Sequence, residues 1–255
     1  MPKRGSELVA EAEKLYNQTL TPEKTRQIAG LLKRGLAEAW GLYANIVVCD
    51  YLNRWNGAGK EELAEAGRAV RSALKLAPDV AIAHHAKGFV HRARRQHKAA
   101  LAAFDQSLRH NPDFARARAQ KANVLFYLGR FDEALREIER LIEKSAGTPS
   151  LGMFHWIKGR TLFHLERYEE ALQPLRQSIA SWPDLWYNRL YFVSACAHLG
   201  KKNEAKAALE EFKARFPRYT LARVAENEKA NPSGHRRVVE GREKFHNGLR
   251  LAGLH

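Results

Sequence analysis

Apolar residues recur along the chain with the period of an α-helix, in segments that short polar stretches separate. One such segment follows the polar turn at residues 129–132 and carries its apolar side chains on a single helical face: Ala134, Leu135, Ile138, Leu141 and Ile142. The pattern predicts an all-α chain of amphipathic helices joined by short turns, with no sheet.

An alanine marks the same place in successive helical segments. It recurs with spacings of 34, 34, 37 and 34 residues, at Ala66, Ala100, Ala134, Ala171 and Ala205. A large apolar residue follows each alanine by four positions. Proline follows by twelve positions in every segment except the third, where Ala146 stands instead. Because proline cannot continue a helix, these prolines predict where the second helix of each unit ends.

Small residues precede the alanine by twelve positions in three units, at Gly88, Ala122 and Gly159. Two helices can pack closely only where one of them carries a small side chain. We therefore expect these positions to mark the contact between the paired helices, with Phe104 or Leu175 filling the space beside it.

A helix–turn–helix unit of 34 residues with these marks resembles the tetratricopeptide repeat. The resemblance implies a right-handed superhelical solenoid of antiparallel helix pairs, in which the first helix of each pair lines a concave groove. It predicts N-terminal helices and a degenerate repeat over residues 1–46, and C-terminal capping helices over residues 220–255. Five repeat units lie between them, at 47–80, 81–114, 115–151, 152–185 and 186–219.

The C-terminal region carries a narrower resemblance. The segments YTLAR (219–223) and GLRLAGL (248–254) are similar to the end of the repeat regions attached to bacterial class III adenylate cyclases and winged-helix transcriptional regulators. This resemblance implies a bacterial protein with a regulatory or signalling role.

The net charge of +15 suggests an anionic partner, although the basic residues are spread along the whole chain. No apolar run approaches the roughly 20 residues of a membrane span, and no signal peptide is apparent. Only two cysteines occur, Cys49 and Cys196, and we expect both to be buried thiols in a reducing compartment. A cytoplasmic protein without membrane contact is therefore expected.

No motif for catalysis, cofactor binding or metal binding is recognisable. The segment WNGAGKEE lacks the first glycine and the hydroxyl residue of a phosphate-binding loop. The histidines closest in sequence, His84 and His91 among them, do not have the spacing of a metal site. We therefore expect a non-enzymatic protein that has no catalytic, cofactor or metal residues.

The helical phase predicts which side chains face the groove. Counting from the start of each first helix, the groove residues are His85, Phe89, Arg92, Arg116, Gln120, Asn123, Phe126, Tyr127, Trp156, Arg160, His164, Tyr187, Tyr191 and His198. Because an arginine without a partner is seldom buried, we expect Arg92, Arg116 and Arg160 to be exposed. The alternative for Phe126 and Trp156 is that they pack between units.

A mixture of aromatic, arginine and amide side chains on one wall suits a peptide or helix of a partner protein. We expect that partner to be acidic and to carry apolar anchors. The alternative is a nucleic acid bound through the basic surface, since arginine beside aromatic rings also suits single strands. Against this alternative, the sequence contains no recognisable nucleic-acid-binding module.

Overall fold

A computed structural model describes residues 5–18, 21, 23–24, 27–28, 37–53, 59–145, 148, 150–229 and 233–255. These residues form thirteen α-helices and no strand, as the apolar pattern predicts. The chain divides into two compact units, Met1–Val124 and Leu125–His255. The boundary falls inside one helix, α6 (Ala115–Tyr127), whose residues belong partly to each unit.

The described residues of the first unit form five helices besides its part of α6. They are α1 (Gly5–Tyr16), α2 (Ala37–Asn53), α3 (Lys60–Leu76), α4 (Ala81–Ala93) and α5 (His97–His110). Helices α2 and α3 pack together, as do α4 and α5, so each consecutive pair forms an antiparallel hairpin. The candidate phosphate loop falls largely at residues 54–58, which lie outside the described ranges.

In the part of the second unit that the structure describes, seven helices follow the end of α6. They are α7 (Phe131–Glu143), α8 (Leu151–His164), α9 (Tyr168–Ser181), α10 (Trp186–His198), α11 (Lys202–Arg215), α12 (Leu221–Lys229) and α13 (Arg236–Ala252). Two antiparallel hairpins, α8–α9 and α10–α11, form its body, and α13 packs mainly against α10.

The recurring alanine is buried in each of the five repeats, as predicted. All five copies are at most 2% exposed, and the large apolar residues four positions later are buried too. The prolines follow helix ends at Leu76, His110, Ser181 and Arg215. Ala146, the exception in the third segment, lies outside the described residues.

Two glycines allow the paired helices to approach closely. A Cβ at Gly88 would lie 2.5 Å from the ring of Phe104, and one at Gly159 would lie 2.7 Å from Cγ of Leu175. These are the contacts that the spacing predicts, so the phase of the repeat is confirmed at both positions. Among the described helices, none is long and apolar enough to cross a membrane.

Candidate partner-binding face

The predicted groove residues lie on α4, α6, α8 and α10. In the first unit they belong to α4 and to residues 115–124, and in the second unit to residues 125–127, α8 and α10. We call this surface the first-helix face and describe it in each unit separately.

In the first unit, His85 and Phe89 lie in the core instead of at the surface. His85 is fully buried, and its Nδ1 donates a hydrogen bond of 2.6 Å to Oδ1 of Asn45. The imidazole also packs against Phe89 and Phe114, with ring centroids 4.8 and 5.0 Å away. Burial, reinforced by nearby Arg116, lowers the pKa of His85 to about 3, so the ring is neutral at physiological pH. The prediction that this histidine faces the groove is therefore wrong.

Arg92 is half-buried and organises a small polar network on the first-helix face. Its Nη1 donates to Oε1 of Gln120 over 2.7 Å, and Nδ2 of Asn123 donates to the same oxygen over 3.3 Å. Gln120 and Asn123 are themselves buried. Because their polar atoms bond to one another, these two amides position the arginine, and Arg92 is the member of the network that solvent reaches.

Arg116 is also half-buried, because it binds the end of α1. Its Nη2 donates to the carbonyl oxygen of Tyr16 over 2.7 Å, and its guanidinium lies 3.9 Å from the centroid of the Tyr16 ring. A cation is favourable at this place because the last carbonyls of a helix carry partial negative charge. The N-terminal helix thus covers part of the first-helix face of this unit.

In the second unit, Arg160 is only 7% exposed, which contradicts the expectation of a surface charge. Its guanidinium lies 3.8 Å from the ring centroid of Phe126 and 5.3 Å from that of Trp156. Tyr127 adds a third ring at 5.4 Å. An arginine is weakly hydrated and stacks well on aromatic faces, which makes this burial physically acceptable.

His164 and Tyr191 form the centre of the face in this unit, and both are buried. The two side chains are hydrogen-bonded to each other, with 3.1 Å between Nε2 of His164 and the hydroxyl of Tyr191. Burial lowers the pKa of His164 well below its ordinary value, and the nearby cations Arg160, Arg242 and Lys244 act in the same direction. Phe126 packs edge-on against this histidine. Phe126 therefore belongs to the core, in agreement with the alternative that it packs between repeats.

The chain's own helix α13 covers this centre. The ring of Phe245 stacks on Tyr191 with centroids 4.1 Å apart, and a Cβ at Gly241 would overlap the ring of His164. The hydroxyl of Ser194 donates to the carbonyl of Phe245 over 3.0 Å. Nε2 of His198 lies 2.8 Å from the carbonyl of Lys244, to which it must donate. The predicted groove residues of the second unit therefore already hold a helix.

The segment before α13 is anchored on the same face. Ser233 donates from its hydroxyl to the carbonyl of Tyr127 over 3.0 Å, and Arg237 donates to the carbonyl of Gly129 over 2.7 Å. The guanidinium of Arg237 also lies 4.5 Å from the ring centroid of Phe131. These contacts fix residues 233–237 on the face beside Tyr127, which is 9% exposed.

Solvent still reaches the edge of the face in the second unit. Trp156 and Tyr187 are half-exposed, and their ring centroids are 4.6 Å apart. Tyr187 also packs edge-on against the ring of Trp186. The pair presents an apolar surface next to the buried Arg160, so it can receive the apolar side chain of a ligand.

The sequence prediction missed what covers the face. Gly241, Phe245 and Gly248 follow one another at four and three residues, which places them on one side of α13. A pattern of small, aromatic and small residues at helical spacing was therefore readable as a packing surface. The motif GLRLAGL has the same explanation, since Gly248 and Leu249 are buried and Gly253 ends the helix in the left-handed conformation.

The described residues do not assemble a metal site from histidine, cysteine or carboxylate side chains. Neither cysteine is joined in a disulfide bond. Cys196 is buried as expected, and burial raises its pKa to about 12, whereas Cys49 is only half-buried.

Antiparallel helix hairpins with a recurring alanine, joined in series, define a helical-repeat protein. Residues 119–185 match the family model described as tetratricopeptide repeat. No curated protein matches the chain.

Several solved structures share this fold. PilF of Pseudomonas aeruginosa aligns with a TM-score of 0.61 and 15% identity, over 82% of this chain and 99% of that one. YrrB, a tetratricopeptide-repeat protein with an unusual peptide-binding site, aligns with a TM-score of 0.53 and 20% identity, over 76% and 93%. The Cut9–Hcn1 complex of the anaphase-promoting complex gives a TM-score of 0.67 at 13% identity, over 89% of this chain but only 42% of the other. At these identities the likeness shows the fold alone.

Proposed function

We propose that the chain is a non-enzymatic scaffold for protein–protein interaction, whose first-helix face binds a peptide or helix of a partner. The observation that carries the proposal is the seating of α13 on this face in the second unit, through Tyr191, Ser194 and His198. A surface that binds a helix of its own chain has the chemistry to bind one from another protein. YrrB, which has the same fold, has a peptide-binding site.

The accessible positions of the face favour an acidic partner segment with apolar anchors. Arg92 and Arg116 are half-exposed in the first unit, and a guanidinium can bind a carboxylate through two hydrogen bonds. Trp156 and Tyr187 offer an apolar contact in the second unit. We extend the proposal to a regulatory role in a bacterial cytoplasm, on the strength of the resemblance at residues 219–223 and 248–254.

A peptide-display library selected on the immobilised full chain tests this function. We expect enrichment of peptides that combine carboxylates with aromatic or aliphatic residues. Peptides that bind the first unit should lose more than tenfold in affinity in the variant Arg92→Glu/Arg116→Glu, and peptides that bind the second unit should do so in Trp156→Ala/Tyr187→Ala. The matched control is Arg136→Glu/Arg140→Glu on the exposed side of α7, which changes the net charge equally.

Two outcomes would refute the proposal. If the Arg136/Arg140 control weakens binding as much as the first-helix pair does, then the attraction is only long-range and the face is not the site. If instead the chain binds a single-stranded oligonucleotide with an affinity that falls steeply with salt, while no peptide is enriched, the nucleic-acid alternative holds.

A further inference from the structure

We propose that α13 is a resident ligand of the first-helix face, which a partner helix displaces. That partner helix carries a small residue, an aromatic residue four positions later and a second small residue three positions after that. This inference rests on the proposed function and specifies which partner the second unit accepts. It follows from how the face recognises α13.

The face recognises the main chain of α13. Ser194 and His198 donate to the carbonyl oxygens of Phe245 and Lys244, which every helix presents whatever its side chains. Both donors lie on α10, four residues apart, so they form one row along that helix. A foreign helix could therefore accept the same two hydrogen bonds.

Side-chain selectivity comes from two close approaches and one ring. A Cβ at Gly241 would overlap the ring of His164, and a Cβ at Gly248 would overlap the hydroxyl of Ser194. Between these glycines, Phe245 stacks on Tyr191 and meets Phe163 edge-on. The face thus requires small residues where the backbones approach, and it binds an aromatic ring favourably between them.

The apolar anchorage of α13 rests on three side chains. Five of its residues are buried, and two of these are glycines that bury no side chain, leaving Val238, Phe245 and Leu249. The ion pair of Lys244 with Glu166, 2.5 Å long, involves side chains that are 42% and 58% exposed. An exposed ion pair adds little stability, because water and salt screen it. Displacement of α13 therefore exposes three apolar side chains of its own, of which Phe245 is the largest.

The test uses a synthetic, fluorescein-labelled peptide of residues 233–255 as the probe and the full chain as the receptor. Fluorescence anisotropy measures its binding to the unsubstituted chain, to Phe245→Ala, and to the matched control Val239→Ala on the exposed side of the same helix. We expect Phe245→Ala to bind the peptide at least tenfold more tightly than the other two chains, because its resident helix competes less well. A peptide with Gly241→Leu and Gly248→Leu should not bind any of the three.

Hydrogen exchange by mass spectrometry provides the second readout. We expect amides in residues 236–252 of the unsubstituted chain to exchange faster than those in α8–α10, and still faster when the peptide is bound. The proposal is overturned if Phe245→Ala gains no affinity, or if the Leu-substituted peptide binds equally well. It is also overturned if Phe245→Ala loses the protection of α8–α10, since α13 would then be an integral part of the fold.

The two proposals can fail separately. If the library yields no peptide but the probe binds Phe245→Ala, the resident-helix inference stands and the proposed function falls. If library peptides bind without changing the exchange of residues 236–252, the function stands, and the partner binds beside Trp156 and Tyr187 without moving α13.

Discussion

One residue in the turn between paired helices adopts the left-handed backbone conformation. These residues recur with the spacing of the repeat, at Arg95, Gly129, Glu166 and Gly200, with φ between 61° and 70°. Glycine occupies this region at no steric cost, whereas a residue with a Cβ is strained there by about 1 kcal/mol or more. Glycine would be the least strained residue at all four positions, but it occupies only two of them, Gly129 and Gly200.

We expect Arg95→Gly to stabilise the chain by about 0.5–1 kcal/mol, because relief of this strain outweighs the greater freedom of glycine when unfolded. The matched opposite change is Gly200→Ala, where an added Cβ would meet no atom within 4 Å. It should destabilise by about 1 kcal/mol through backbone strain alone. Urea unfolding monitored by circular dichroism measures both. A loss of stability in Arg95→Gly would contradict the strain assignment.

Buried neutral histidines make the stability depend on pH. The pKa of His85 is about 3 in the folded chain, below its ordinary value near 6.5, because burial disfavours the charged ring. Above pH 6.5 both folded and unfolded forms are neutral, and the folded state keeps its full stability. As the pH falls from 6.5 towards 3, only the unfolded chain takes up the proton, so stability is lost.

We therefore expect each buried neutral histidine to lower the free energy of unfolding by at most about 1.4 kcal/mol for each pH unit below 6.5. His85→Gln should be less stable than the unsubstituted chain at pH 7, because it loses the ring contacts. Its stability should nevertheless fall less steeply between pH 6.5 and 4.5. Urea midpoints at pH 7, 5.5 and 4.5 give the comparison, and an unchanged slope would show that His85 is not the buried titrating group.

At the scale of the helix, the packing of a hairpin depends on a glycine in its first member. Gly159→Ala places a Cβ 2.7 Å from Cγ of Leu175 and 3.3 Å from its backbone nitrogen, so the helices must separate. We expect a net loss of about 1–3 kcal/mol from overpacking, although alanine favours a helix over glycine by about 1 kcal/mol.

A double-mutant cycle with Leu175→Ala isolates this contact. Leu175→Ala alone should cost about 2–5 kcal/mol, because it leaves a cavity. In the double variant the added methyl occupies part of that space. Its loss of stability should therefore be smaller than the sum of the two single losses, by about 0.5–3 kcal/mol. Strictly additive effects would mean that Gly159 and Leu175 do not touch.

The helices could be predicted from the sequence because their signals are local. Period, prolines and the recurring alanine depend on neighbours within one hairpin, and the helix ends fall where these signals indicate. The exposure of the groove residues could not be predicted in this way. Arg160 is buried against the rings of Phe126 and Tyr127, and His164 is buried under α13. Phe245 on Tyr191 is a contact over 54 positions. Helical phase indicates which side a residue faces, but not what occupies that side.

At the scale of the whole molecule, the main electrostatic feature is a net charge of +15. It results from 43 lysine and arginine residues against 28 aspartate and glutamate residues. Like charges repel one another more in a compact chain than in an extended one, so a large net charge lowers the stability of the folded state. Salt screens this repulsion over about 10 Å at 0.1 M. It also weakens surface ion pairs such as Arg130–Glu133, but exposed pairs contribute little.

The repulsion should therefore dominate, and we expect the melting temperature to rise by a few degrees between about 10 mM and 300 mM sodium chloride. The variant Arg136→Glu/Arg140→Glu lowers the net charge by four, to +11, at exposed positions. Its melting temperature at low salt should be higher than that of the unsubstituted chain, and its response to salt smaller. Differential scanning calorimetry of both chains provides the measurement. A melting temperature that falls with salt would show that the ion pairs outweigh the excess charge, and the basic surface would then not be the destabilising element we infer.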